Sequence, residues 1–579
     1  MGQRQTLSAA LGLGILAFWF RVLSSVDLSN DHYMHMAWAQ QLLFGEVPGR
    51  DFVDPGMPLA YTMSAAAQWL RPGPFAELVL SAAFLGVAAS VTFLVAKRLS
   101  GSILVAVAVT VLEIALRTRL YSYPKILVPA VAMLLFQKYA DARTLPWLAA
   151  LGVWTGLAGL LRHDLAVYAA AGIAVGLVVL RWPDLRRACS SLAIYTATVA
   201  VTLLPYALFV GWSEGIAEHL RRGLEFAKGE SHQRAFDLPA LTSLDVLGWG
   251  RDDAAAFLFY AAYGSGLVAV ALMLGRRSRH SPQQRAAAAA ATAMLVAYIV
   301  VVLRHPLDAR LPDLGAVLAI VLAWVLGQAV HIVSESFTAA PLGPASFSPA
   351  SSGPASSGRA PFLKPGRRRL VTAAAAAAAT IGLVVVTSRS VSVLANTAEA
   401  LDNTGISGGW GDVRETWTDL KERGTAWPWA RSWPSRDLPE AVPYLNACTE
   451  SSDAVLTTWP APEYYFFARR RFGAGHAEFL PPRAFATEED QRQMLARLEH
   501  QRVPIVLINE SRREEFAAAF PRLDAYLRTH YAGAGRFAIY DGSEITVAAR
   551  RDLRATRSWG ADQWPCGFER EGAGGPDVR

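Results

Sequence analysis

The chain has 579 residues, 53% hydrophobic and only 18% charged, with a formal net charge of +7 and a mean hydropathy of +0.25. A soluble protein of this length carries more charge, so the composition argues against a string of soluble domains and for a polytopic membrane protein. The basic residues fall mostly in short loops between apolar runs, which excludes a nucleic-acid-binding face and makes them a topology signal.

The first stretch, MGQRQTLSAALGLGILAFWFRVL, has a basic start and an apolar core. Phe18, Trp19, Phe20 and Arg21 leave no small-residue cleavage site before Asp27, so a retained helix is expected here rather than a signal peptide. About eleven runs are long and apolar enough to span a bilayer. They lie near 7–24, 75–96, 101–118, 124–138, 145–161, 165–181, 190–212, 254–275, 286–303, 311–333 and 370–388. Lys97 and Arg98, Lys138 and Arg143, Arg181 to Arg187, Arg276 to Arg285, and Arg367 to Arg369 all fall on one side if the N-terminus is cytoplasmic. That orientation puts the first loop, residues 25–74, and everything after residue 389 outside the inner (plasma) membrane.

Residues 1–333 therefore read as the membrane module. Residues 334–369, rich in Ser, Pro, Gly and Ala, read as a flexible cytoplasmic linker, and 370–388 as the last span. Residues 389–579 read as an extracytoplasmic α/β domain. DAVLTT and VPIVLIN are strand-like, PEYYFFARRR is helix-like, and RFAIYDGSEITVAA reads as a hairpin turned at Asp-Gly. Cys448 and Cys566 share the external compartment, where they either pair or stay as two buried thiols.

Charge collects at the external ends of the spans, where the positive-inside rule expects little. The first loop brings Asp31, His32, His35, Asp51 and Asp54. RTRLYSYPK brings Arg119, Tyr121, Tyr123 and Lys125. Arg162, His163 and Asp164 follow the fifth span, and RHPLDARLPD brings Arg310 and Asp313. Ionisable residues at membrane depth are costly and mark a function or a pair. Cations suit a phosphate, a carboxylate suits proton abstraction from a hydroxyl, and apolar walls suit a lipid tail. Each group also has a plain structural reading. Asp31 caps a helix, Asp51 and Asp54 shape a turn, Arg162 and Asp164 neutralise each other, and Lys125 snorkels. His32 and His35 lie three apart, but zinc needs further ligands, so no metal site is assigned and a divalent metal stays open as a cofactor. There is no Gly-rich phosphate loop and no GxSxG elbow.

The first loop carries a pattern: Asp31-His32-Tyr33, then Leu42-Leu43-Phe44-Gly45-Glu46-Val47-Pro48, then Arg50-Asp51-Phe52-Val53-Asp54-Pro55, with Pro58, Leu59 and Tyr61. This resembles the GT-C glycosyltransferases related to protein O-mannosyltransferases and the lipid A aminoarabinose transferase. The motif covers mainly the first loop, while the overall plan covers nearly the whole chain. The resemblance implies a polyprenyl-phosphate sugar donor, inverting transfer, and a lipid, polysaccharide or protein acceptor. It makes Asp31 the base or acceptor-positioning group, assisted by Asp54 or Asp51, with Lys125, Arg162, Arg119 and Arg310 as phosphate ligands. Tyr123, His163 and Asp164 support them. Many members carry Asp-Glu where this chain has Asp31-His32, and a neutral His32 hydrogen-bonds or relays a proton rather than supplying a second carboxylate. The alternatives are a transporter or flippase of a lipid-linked or anionic solute, and a non-catalytic envelope-assembly subunit. A transporter predicts charges near mid-span.

Overall fold

The computed structural model describes residues 3–25, 28, 30–232, 238–242, 251–275, 280–303, 307, 309–338, 399–423, 438–477, 479, 486–539 and 542–570. The expected span at 370–388, nearly all of the linker, and Arg304, His305 and Asp308 lie outside these residues.

Seven described helices are long and apolar enough to cross a membrane. They are α1 (Gln3–Leu23), α4 (Pro74–Ser100), α6 (Tyr123–Ala142), α8 (His163–Arg181), α9 (Leu185–Ser213), α11 (Arg251–Gly275) and α14 (Gly315–Thr338). Two shorter apolar helices, α5 (Ile103–Ala115) and α7 (Leu145–Leu161), match expected spans as well. In the first loop lie α2 (Asn30–Leu43) and α3 (Pro58–Leu70), and α10 (Ile216–His232) follows α9. The run expected as one span over 286–303 is split. α12 (Pro282–Ala297) stops at Tyr298, and a single turn, α13 (Ile299–Val302), follows. The buried Tyr298 hydroxyl donates to the Lys125 carbonyl of α6 at 3.1 Å, a polar tie at the break.

Small residues set the helix spacing. A Cβ added at Gly14 of α1 would come within 2.7 Å of the Gly86 carbonyl of α4, and one at Gly86 equally close to the Gly14 carbonyl. Gly152 and Gly156 of α7 receive Thr198 and Thr202 of α9 in the same way. Pro58, Pro74 and Pro146 stand in the first turns of α3, α4 and α7, where the missing N–H costs nothing.

The second domain holds a five-stranded sheet in the order β2-β1-β3-β5-β4. Strands β1 (Ala454–Thr457), β2 (Arg471–Phe472) and β3 (Ile505–Asn509) run parallel. Strands β4 (Tyr531–Ala538) and β5 (Glu544–Arg550) form the expected antiparallel hairpin, with Gly542 in its turn at φ +81°. A two-stranded ribbon, β6 (Leu553–Trp559) and β7 (Trp564–Arg570), completes it. Cys448, at the end of helix Leu438–Cys448, is disulfide-bonded to Cys566 of β7. The helix expected over PEYYFFARRR ends at Ala468. Arg469 turns left-handed at φ +54°, and Arg470 folds under to donate to the Leu445, Thr449 and Ala468 carbonyls. Its guanidinium thereby satisfies acceptors that a helix end leaves open.

This domain is seated on the first loop. One apolar cluster runs from Tyr33, Met36 and Ala37 of α2 to Tyr465, Phe466 and Phe472. Gln40 donates to the Phe466 carbonyl at 3.1 Å, and Gln41 donates to the Arg470 carbonyl at 3.2 Å while accepting from the Phe472 N–H at 3.3 Å. Arg471 pairs with Glu46 at 2.6 Å, and Arg497 donates to the Gly49 and Arg50 carbonyls. The α2 helix is thus clamped between the bundle and the sheet, which fixes its first turn.

Candidate active site

The charged span ends singled out in the sequence do meet. Asp31 sits exposed in the first turn of α2, within electrostatic reach of Tyr121, Arg119 and His35. Arg119 donates to the Tyr121 hydroxyl at 2.9 Å. Beneath them Lys125, in the first turn of α6, is buried and ion-paired with the buried Asp313. Arg162 joins α7 to α8 and grips Asp164 with two bonds, 2.8 and 2.9 Å. Lys125 feels Arg162 and Arg310, so these cations form one field. The Arg310 Nε is buried with no hydrogen-bond partner among the described residues. His163 is exposed beside Gly56, bringing the Asp54 turn to the start of α8.

The other first-loop acids have different surroundings. Asp51 accepts from the Val47 N–H at 2.8 Å and from Arg50 at 2.9 and 2.7 Å. Burial alone would raise its carboxyl, but these bonds hold it below the usual range. Asp51 is occupied in shaping the turn. Asp54 is buried and accepts from the Tyr206 hydroxyl of α9 at 2.9 Å, the Gly56 N–H at 2.9 Å and the Tyr61 hydroxyl at 3.3 Å. Burial pushes its carboxyl up, against those bonds and the nearby His219.

His32 is buried, its Nδ1 3.7 Å from Glu77 Oε1, and its ring meets Tyr121 edge-on at 5.7 Å. Glu77 also accepts from Ser64 Oγ at 2.6 Å. A carboxylate of α4 therefore stands beside His32, the residue that follows Asp31. Sequence reasoning missed Glu77, whose signal was a lone acid in the first turn of an apolar span. It also missed Tyr206, for which no local signal exists, and left Asp313 unassigned. Tyr123 is buried and stacks on Phe84 at 5.0 Å. Among the described residues no group of three or more His, Cys, Asp or Glu side chains is arranged to hold a metal.

The site thus joins a solvent-facing carboxylate to a cluster of cations that lie in or beside the turns between helices. No family model and no curated protein matches the chain. Among solved structures it is similar to ArnT from Cupriavidus metallidurans bound to undecaprenyl phosphate, with 13% identity over 94% of this chain and 98% of that one and a TM-score of 0.49. The same protein in its apo state gives 12% identity over 94% and 98%, with a TM-score of 0.45. The Archaeoglobus fulgidus oligosaccharyltransferase in complex with zinc and sulfate gives 14% identity over 92% of this chain and 72% of that one, with a TM-score of 0.45.

Proposed function

We propose that the chain is an integral-membrane glycosyltransferase, moving a sugar from a polyprenyl-phosphate donor to an acceptor hydroxyl at the extracytoplasmic face. The observation that carries this reading is the exposed Asp31 carboxylate in reach of Arg119, which shares Asp313 with a buried field of Lys125, Arg162 and Arg310. The acceptor oxygen attacks the anomeric carbon of the sugar, and its proton passes to Asp31. The bond from that carbon to the phosphate oxygen breaks on the opposite side, so the centre inverts. Polyprenyl phosphate leaves with the electron pair, and the cations hold the growing negative charge.

Lys125 and Arg162 already have carboxylate partners, so they set the field from behind. Arg119 and Arg310 form no ion pair among the described residues and are the cations assigned to touch the phosphate. Arg offers five donors in a plane, enough for a partner and a phosphate together. The charges gather at helix ends rather than mid-span, which favours transfer over transport.

The test uses purified protein in lipid nanodiscs with radiolabelled polyprenyl-phosphate sugars and crude envelope acceptors. Wild type should release or transfer sugar, and Asp31→Asn should not, with donor binding retained. Donor binding without turnover in wild type would overturn the reading.

A further inference from the structure

The second domain contains a cleft of about 370 Å³ that the transfer site does not use. Its walls are helices Arg513–Ala519 and Pro521–His530, and its floor is the end of β3 with β5 and β4. It opens on the sheet face opposite the one whose cluster reaches Tyr33 of α2. Ile508, Tyr531 and Ala548 belong to the apolar cluster of those two helices, whereas Ile505, Leu507 and Val547 belong to the cluster that reaches Tyr33 of α2.

Topology marks this place independently. From β1 the chain goes to β2 on one side, then crosses to β3 on the other. The carboxyl ends of β1 and β3 therefore diverge, and such a switch point is where open α/β sheets bind ligands. Thr458, just past β1, and Glu510, just past β3, both line the cleft. The volume falls in the range of small-molecule sites, roughly 300–1,000 Å³.

The wall chemistry selects the ligand class. Arg513 pairs with Glu510 at 3.0 Å, Arg528 with Asp524 at 2.7 Å and Arg536 with Glu544 at 3.2 Å. Charge is balanced pair by pair, so an anion would compete with a carboxylate already in place. Each guanidinium still has free N–H groups, and each carboxylate free lone pairs. Donors and acceptors thus stand together on the rim around an apolar patch of Ile508, Leu527 and Ala548. Hydroxyl groups, which donate and accept at once, fit that mixture. At Gly533 a Cβ would meet only the Thr546 methyl, at 3.6 Å, so the glycine leaves the floor bare.

We propose that this cleft binds a neutral saccharide. Its role as an acceptor-holding subsite rests on the transferase reading above; the binding itself does not. The experiment is ligand-observed NMR on the full chain in nanodiscs. The probes are neutral tetrasaccharides of glucose, mannose and galactose, a galacturonic acid tetrasaccharide, and inorganic phosphate. At least one neutral saccharide should saturate at millimolar concentration. Gly533→Leu, which fills the floor, and Arg528→Gln, which keeps the wall's shape, should each weaken it at least tenfold. Asp31→Asn should bind as wild type does, so loss of transfer and loss of this site read out separately. Binding of only the uronate or only phosphate, no binding at all, or saccharide binding unchanged in both cleft variants would overturn the proposal.

Discussion

Asp31 and Asp54 lie in the same loop and end in opposite environments. Asp31 is exposed at the start of α2, facing Arg119 and Tyr121. Asp54 is buried and held by two phenols and a backbone N–H. A buried carboxylate held on all sides by the fold is out of a substrate's reach, while one that faces solvent can take the proton of an acceptor hydroxyl. On the proposed reading the loop uses Asp31 for chemistry, while Asp54 ties the loop to α9 through Tyr206.

The largest effect that separates them is on turnover. Asp31→Asn removes the proposed base without changing shape, and kcat should fall about 10²–10⁴-fold with donor affinity unchanged. Asp54→Asn should cost less than tenfold in kcat but lower the unfolding temperature, because it weakens three bonds at once. Each bond contributes about 0.5–1.5 kcal/mol. Radiolabelled transfer and thermal unfolding of both variants check this, and equal loss of kcat in the two would erase the distinction.

The Lys125–Asp313 pair extends the contrast to the buried layer. Asp313→Asn leaves a buried ammonium without its counter-charge and should destabilise the protein by about 3–5 kcal/mol. The double variant Lys125→Met with Asp313→Leu removes both charges and should recover most of that stability. It should not recover donor affinity, because the Lys125 ammonium behind Arg119 and Arg310 is gone and Arg162 alone remains there. Recovery of both would make the pair purely structural. Next in size is the Cys448–Cys566 bond, which closes a separation of 118 residues. Replacing both with Ser should cost about 2–5 kcal/mol in the second domain. The same change should loosen the Glu46–Arg471 contact that holds α2, read as raised hydrogen exchange over residues 40–53.

Much of this was legible in the sequence for identifiable reasons. Apolar runs with basic ends located the described helices, because membrane solvation demands long uninterrupted apolar segments. The hairpin was legible because Asp-Gly suits its turn. Asp31 and the cations were legible as charges where few belong. Neither the use of Asp54 nor the Glu77–His32 contact was, because each depends on a partner distant in the chain: Tyr206 lies 152 residues from Asp54. The end of the 462–468 helix was also hidden, since Arg470 leaves the helix for carbonyls of another one. Pairing between distant elements leaves no periodic mark on either.

The smallest expected effect is a pH dependence confined to the Asp54 side. Burial raises the Asp54 carboxyl above its ordinary value, so the fold favours its protonated form. The stability this contributes is present at low pH and is lost as pH rises through the raised value. His219 of α10, whose ring faces Tyr206, is raised by its hydrogen bond to Glu214. Its contribution is full below its ordinary value of about 6.5 and is lost above it. Both steps loosen the same contact between the first loop, α9 and α10 as pH increases. Hydrogen exchange over residues 50–60 and 205–222, corrected for intrinsic rates, should therefore show protection falling in two steps as pH rises, the first beginning above the ordinary Asp value of 3.8 and the second above the ordinary His value of 6.5. Asp54→Asn should remove the lower step and His219→Gln the upper one, while Asp31→Asn leaves both intact. A profile that is flat in wild type, or one that Asp31→Asn flattens, would mean the two acids share one environment.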